Sequence, residues 1–391
     1  MRRAHTERCA SRVALSDSPR NARALLFIVP TYPPHFTAAA HLLQSMRRHA
    51  TDPETASVRF ITSDAAEVSS LERLIHRMDR STQTCASPRV LDVGIVALTA
   101  ISQQWRVTVT NLTYASLGPD CAIPSRQSVP RCKGYTAPPD SNRFLYQYVK
   151  KLYAARYFRY DRAMLLDSDS DVVGRNFSFR ALFDGFFEPQ PSVFARSAAH
   201  SMDSYCDQIL HLLPRQSDST WWPVPRSSNY FGWFVDKSTI EDLFVHVERA
   251  SNKSLYAVAV KAFARHRCWE YDTYSQFALA SPLRHKPYRT RSWEDAVNVA
   301  LPPEWRGIGA SFFLDHLLHG NDTVAGVGIA GLAQLVNRLN LSVFRIPQYV
   351  KNPKRFYERF GRLLARAPNL VINFGGGALP AFDDTASTFM V

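Results

Sequence analysis

Apolar and polar positions alternate in blocks along the first third of the chain. Ala24–Tyr32 (ALLFIVPTY) is an apolar, β-rich run stopped by Pro33-Pro34, and it predicts a buried strand. Phe36–His49 follows with helical spacing that places Ala38, Leu42, Leu43 and Met46 on one face. Ser57–Asp64 reads as a second short strand ending in a carboxylate, and Ser69–Asp79 as a helix with a serine cap and Glu72 in its first turn. Val90–Leu98 reads as a third strand. Strand and helix alternating at this spacing predict an α/β fold, a mostly parallel sheet flanked by helices in a single large domain over residues 23–350.

The rhythm breaks over residues 115–142, where prolines, serines and two cysteines predict a surface loop or insertion. It resumes with a helix over Asn142–Phe158 and a strand that runs from Asp161 towards Gly174, straight into three carboxylates. Residues 1–22 read as a disordered, targeting or stem tail, and 351–391 as a C-terminal extension. The uncharged run Thr323–Val336 is shorter than the roughly 18 residues of a membrane span and reads as a core helix. No period of 20–50 residues recurs, which excludes solenoids and propellers.

Composition supports a folded enzyme-sized core: 46% of residues are hydrophobic and 12% aromatic, which excludes a disordered or collagen-like chain. The excess of 47 Lys+Arg over 34 Asp+Glu gives a net charge of +13 and raises nucleic acid, an anionic membrane surface or a phosphorylated ligand as partners. The basic residues are dispersed rather than gathered in a stripe, so the expectation is no nucleic acid. Six cysteines without a C-x-x-C pair argue against a zinc ribbon or a thioredoxin-type centre. Cys121 and Cys132 are either free thiols or a staple across the loop between them. Sequons at Asn111, Asn176, Asn252, Asn321 and Asn340 favour a secretory lumen. The expected location is therefore the Golgi or ER lumen, with any membrane anchor outside this sequence; the alternative is the cytoplasm.

The sharpest chemical signal is Asp167-Ser168-Asp169-Ser170-Asp171, directly after the apolar Ala163–Leu166. On a continuous strand the three aspartates would share one side, where they repel unless a cation or donors neutralise them. Oxygen ligands suit Mn²⁺ or Mg²⁺, which keep positions open for substrate phosphates. A solvated acidic turn is the plain alternative.

The run Tyr160-Asp161-Arg162-Ala163-Met164-Leu165-Leu166-Asp167-Ser168-Asp169 resembles the D-x-D segment of GT-A-type nucleotide-sugar glycosyltransferases. The helix before it, with Lys150-Lys151-Leu152-Tyr153, is similar to the helix leading into that segment, and Phe27–Tyr32 resembles the family's first strand and nucleotide-binding turn. The resemblance implies a GT-A-like (Rossmann-like) domain in which Asp167 and Asp169, or Asp169 and Asp171, hold the metal on a donor diphosphate. It implies donor binding by Pro30, Thr31, Tyr32 and Asp64 at the first two strands. Lys151, Asp167, Ser168 and Asp169 would bind the donor at the acidic segment, with Lys150 or Arg156 assisting. The partners would be a UDP- or GDP-linked sugar and a glycan or other hydroxyl acceptor.

Glu270 and Asp272, in Trp269–Tyr274 ahead of a helix over Ser275–Ala280, are the candidate catalytic acids or acceptor ligands, with Asp272 as helix N-cap the plain alternative. Asn229–Phe234 resembles the stretch that forms the acceptor-side floor in that family, which implies Asn229, Gly232 and Trp233 as acceptor-side residues. Trp222 lies just before it, and sugar rings could stack on Trp222 and Trp233, although core packing explains such aromatics equally well. His319, or its neighbour His316, is a candidate further metal ligand. Gly326, Gly328 and Gly331 satisfy G-x-G-x-x-G but lack a convincing preceding strand and a later acid for a ribose. The expected activity is metal-dependent sugar transfer from a nucleotide-diphosphate donor to a hydroxyl. The alternatives are a metal-dependent phosphotransferase or nuclease, or a non-catalytic carbohydrate-binding module on a transferase-like fold.

Overall fold

The computed structural model describes residues 24–81, 91–104, 141–173, 176–188, 192–197, 221–223, 234–263, 270–280, 289–292, 343–345 and 370–373. Strand β1 (Leu25–Pro30) runs through the middle of the main sheet, and its period-2 alternation feeds two separate cores. Leu26 and Ile28 pack on one face of the sheet with Tyr148, Leu152 and Phe158. Phe27 and Val29 pack on the other with Leu42, Leu43, Phe179 and Phe183. A strand buried on both faces needs apolar residues at every position, which is why LLFIVP is continuous rather than alternating.

The main sheet adds β2 (Ala56–Thr62), β3 (Asp92–Ala97), β4 (Arg162–Leu165) and β8 (Phe234–Asp236) in the order β3-β2-β1-β4-β8. All pairs are parallel except β4 with β8. Helices α1 (Phe36–His49), α2 (Ala65–Ser81) and α5 (Phe179–Phe187) bring their apolar faces to the second core. The first core is built by α4 (Ser141–Tyr157), with α3 (Leu98–Gln104), α6 (Lys237–Ser251), α7 (Leu255–Phe263) and α8 (Glu270–Ala280). The fold class is thus the one expected: α/β, a mostly parallel sheet flanked by helices.

Two smaller sheets accompany it. One joins β5 (Ser170–Val173), β10 (Val343–Arg345) and β11 (Leu370–Asn373); the other joins β6 (Ser192–Ser197), β7 (Trp221–Pro223) and β9 (Arg289–Ser292). Leu370–Asn373 falls in the stretch expected to be a C-terminal extension, yet it pairs antiparallel with β5 and so belongs to the fold. The 1–22 tail, residues 115–140 of the expected insertion, all six cysteines and the 326–331 glycines lie outside the described residues, whereas Ser141 and Asn142 already belong to α4. Among the described residues no helix is long and apolar enough to cross a membrane.

Long-range polar contacts fix the far end of the sheet. Arg59 is buried in β2 and donates to Asp92 Oδ2 at 2.7 Å; it lies across Gly94, where a Cβ would stand 2.9 Å from the Arg59 Cδ. The Asp52 carboxylate accepts from Phe179 N (2.8 Å) and Arg180 N (3.0 Å), capping α5 from 127 residues away in sequence.

Candidate active site

From β1 the chain steps one way through β2 to β3, then crosses back to lay β4 on the other side of β1. This reversal opens a crevice at the carboxyl ends of β1 and β4, the place where open α/β sheets hold ligands. Thr31-Tyr32 leaves β1 there, Ser63-Asp64 leaves β2 beside it, and Asp167-Ser168-Asp169 leaves β4. Backbone pairing continues to the brink on both sides, with Thr31 N donating to Ile61 O and Leu166 N to Ile28 O, each at 2.9 Å.

The acidic run is not one continuous strand. β4 stops at Leu165, Ser168 and Asp169 form a turn, and β5 starts at Ser170 in a different sheet. The expected alternation of three aspartates along a single pleat is therefore absent. Asp171 stands in register with Ile372, and its Oδ1 accepts from the next backbone N–H, Val172 N, at 2.9 Å. Ser45 on α1 anchors the same strand by donating to Val172 O at 3.0 Å. Among the described residues no three His, Cys, Asp or Glu side chains come together as a metal-holding group. His319 lies outside those residues.

Asp167 is held by α4. Gln147 Nε2 donates to Asp167 Oδ1 at 2.5 Å, and Lys151 Nζ reaches the same oxygen at 2.7 Å. Gln147 and Lys151 are four residues apart and so share a helix face. Lys151 also donates to Glu270 Oε1 at the start of α8, and both side chains are only 1% exposed. Burial works against the Lys151 charge, but Asp167 and Glu270 overcome it and hold the ammonium above its usual range. Glu270 is thus a buried partner of Lys151, not a carboxylate open to an acceptor. Asp272 falls inside α8, which begins at Glu270 rather than Ser275, so it is not the helix N-cap; its side chain is outside the described residues. Ser168 is buried, with Oγ 3.4 Å from His35 Nδ1, and His35 stacks on Tyr32 with ring centroids 4.3 Å apart. Asp169 is 4% exposed.

The second lysine sits one position earlier in a different setting. Lys150 Nζ donates to Thr31 O at 2.6 Å and to Ser63 Oγ at 3.3 Å, and lies 4.4 Å from the centre of the Tyr146 ring. Burial pulls its pKa down to about 7, against opposing pulls from Glu67 and Asp64. Asp64 is itself the cap of α2: its Oδ1 accepts from Glu67 N at 2.9 Å, and Glu67 returns the contact by accepting from Ser63 N at 2.7 Å. The helix therefore starts at Ala65, four residues before the expected serine cap, and Ser69 Oγ donates back to Ala65 O instead. Burial also pushes the Tyr146 phenol well above its usual range, despite its hydrogen bond with Ser63.

Pro30 closes β1, where its missing N–H removes a donor only at the strand's end. Arg156, expected near the donor, is instead at the opposite end of α4, paired with Glu248 at 2.8 Å. Trp222 lies on β7 with its side chain outside the described residues, as are Asn229, Gly232 and Trp233 altogether. Gln147, Ser63 and Tyr146 were not picked out from sequence. Gln147 was detectable from its four-residue spacing to Lys151, and Ser63 from its place directly after β2.

No protein-family model matches this sequence, and no curated protein matches it. Solved structures similar to this chain include glycosyltransferases at low identity. Mouse xyloside xylosyltransferase 1 in its apo form is 11% identical over 74% of this chain and 91% of that one, with a TM-score of 0.33. The apo WbbM bifunctional glycosyltransferase is 13% identical over 69% of this chain and 46% of that one, with a TM-score of 0.29. S. aureus TarS 1–349 in complex with UDP is 12% identical over 87% of this chain and 89% of that one, with a TM-score of 0.27.

Proposed function

We propose that the protein is a metal-dependent glycosyltransferase that moves a sugar from a nucleotide-diphosphate donor to a hydroxyl acceptor. The observation that carries this reading is the Asp167-Ser168-Asp169 turn at the carboxyl end of β4, beside the turn after β1, at the sheet's switch point. Asp167 is fixed by Gln147 and Lys151, which preorganises the segment before any ligand arrives.

The residues fit a hard divalent cation. The donor set is oxygen only, and such ions bind through one or two carboxylates plus substrate phosphates. Asp169 and Asp167 would hold Mn²⁺ or Mg²⁺, which would supply positive charge to offset that of a departing nucleoside diphosphate. The chain's own residues do the rest. Thr31 and Tyr32 line the donor crevice, His35 and Ser168 brace its two sides against each other, and the buried Lys151 pairs with Asp167 and aims it. Glu270 serves this arrangement through Lys151, so a base for the acceptor hydroxyl, where one is used, is a different group.

Hydrolysis of UDP- and GDP-sugars with and without Mn²⁺, on wild type and Asp169→Asn, tests the reading. Mn²⁺-dependent turnover that falls at least ~100-fold in Asp169→Asn is the expected result. Turnover indifferent to both metal and substitution sinks it. A secretory-lumen location belongs to the same proposal; Asn176 and Asn252 are both exposed, and glycosidase-sensitive mass at those two sites after secretory expression checks it.

A further inference from the structure

A buried ammonium ordinarily lies against a carboxylate, because removing a charge from water costs several kcal/mol unless an opposite charge replaces the solvent. Lys150 departs from that pattern. It is 2% exposed, its hydrogen-bond partners are the neutral Thr31 carbonyl and Ser63 hydroxyl, and no ion pair among the described residues includes it. The two nearest acids are committed elsewhere: Asp64 caps α2, and Glu67 accepts from Ser63 N. A second polar group at the same spot is incomplete, for Thr31 Oγ1 is buried and has no hydrogen-bond partner among the described residues. Both defects fall at the carboxyl ends of β1 and β2, on the rim of the donor crevice.

We propose that Lys150 is a proton-linked positioning residue: it ties the turn after β1 to the turn after β2, and a bound nucleotide diphosphate adds to the negative field of Asp64 and Glu67, so that donor binding favours the protonated ammonium. The inference rests on the glycosyltransferase reading above. Lys150 acts through Thr31 and Ser63 rather than by touching the donor. In the free protein its pKa sits at about 7, so near neutral pH a sizeable share of the molecules carries a neutral amine. An anion arriving at the Thr31–Tyr32 turn favours the charged form, and linkage then requires proton uptake on binding. The groups facing Lys150 are Tyr146 from α4, Asp64 and Glu67 from the start of α2, and the Thr31 carbonyl from β1. Tyr32 and His35 stand beyond Thr31 at the same edge.

The test is calorimetric titration of UDP-glucose and GDP-mannose between pH 6 and 8.5, in buffers of differing ionisation enthalpy. These donors contain diphosphate diesters with no group of their own titrating near neutrality. Wild type, Lys150→Met and Lys150→Gln are compared; the second variant keeps an N–H donor without a charge, and thermal unfolding verifies that each is folded. Wild type should take up a proton fraction near pH 7.5 that both variants lack. A one-unit rise in the Lys150 pKa on binding weakens wild-type affinity about sevenfold from pH 6 to 8.5. The variants should be flatter by that factor. Any linkage from His35 is common to all three proteins, so the difference alone carries the result. Binding with equal proton uptake in wild type and variants overturns the linkage while leaving the transferase reading intact. No binding of either donor to wild type, with Mn²⁺ present, overturns both.

Discussion

Two consecutive lysines on α4 meet two ends of the same crevice in opposite ways. Lys151, at the β4 side, is buried between Asp167 and Glu270 and is held charged. Lys150, at the β1–β2 side, is equally buried but is met by a carbonyl, a hydroxyl and an aromatic ring, and its charge is weakly held. Adjacent helix positions are about 100° apart, so neighbouring side chains of one type reach different strands' ends. A buried cation with its own carboxylates is a fixed structural part, whereas one without them is left responsive to pH and to an arriving anion.

The strongest way to break the Lys151 side is to neutralise its deepest partner. Glu270→Gln keeps the volume and removes the charge, leaving the ammonium with Asp167 alone. Breaking a buried pair by removing one partner costs about 3–5 kcal/mol, and urea unfolding should show a loss of roughly 3 kcal/mol at pH 7. A loss under ~1 kcal/mol would mean that Asp167 alone suffices.

Lys150→Met should behave in the opposite sense and depend on pH. The unfolded lysine titrates near 10.5 and the folded one near 7. Between those values the unfolded chain binds more protons, so this group makes wild-type stability rise with pH; below 7 and above 10.5 its contribution is flat. Relative to Lys150→Met, wild type should be least stable below pH 7 and gain on the order of 3 kcal/mol by pH 10. Denaturant midpoints at pH 6, 8 and 10 check this, and parallel curves for the two proteins would contradict it.

The contrast between the lysines also marks how much was legible in the sequence. β1, α1, β2, β3 and α4 were each predicted within a residue or two, because their apolar periods report local burial directly. α1 buries Ala39 where Ala38 was expected, a shift of one position on the same helix. The start of α2 was missed because the cap acid Asp64 was read as a site residue and Ser69 as the cap. The acidic run was placed at the right strand end, but the turn within it depends on β5 pairing with Leu370–Asn373, some 200 residues away. The Lys151–Glu270 contact spans 119 residues, and nothing local in either segment announces it. Charge type and strand ends can be read from sequence; which carboxylate answers which lysine cannot.

A smaller effect should follow Asp64→Ala, which touches the Lys150 side from the β2 end. It removes the α2 cap, a change worth about 1 kcal/mol at an N-cap. It also removes one of the two acids that raise the Lys150 pKa. Stability at pH 7 should fall by ~1 kcal/mol, and the Lys150-dependent rise with pH should begin at lower pH than in wild type. An unchanged onset would show that Asp64 exerts no field on the lysine.

The smallest and most discriminating comparison is between Tyr146→Phe and Tyr146→Leu. Both lose the hydroxyl shared with Ser63, a neutral hydrogen bond worth roughly 1 kcal/mol. Only the leucine variant also loses the aromatic face 4.4 Å from Lys150 Nζ. That face attracts the ammonium but has little hold on the neutral amine, so its contribution exists only while the lysine is protonated. The gap between the two variants should be about 0.5–1 kcal/mol at pH 6, beyond the ordinary difference in packing, and should narrow by pH 9. A gap constant over that range would place the Lys150 titration outside it and make this side of the crevice as fixed as the Lys151 side.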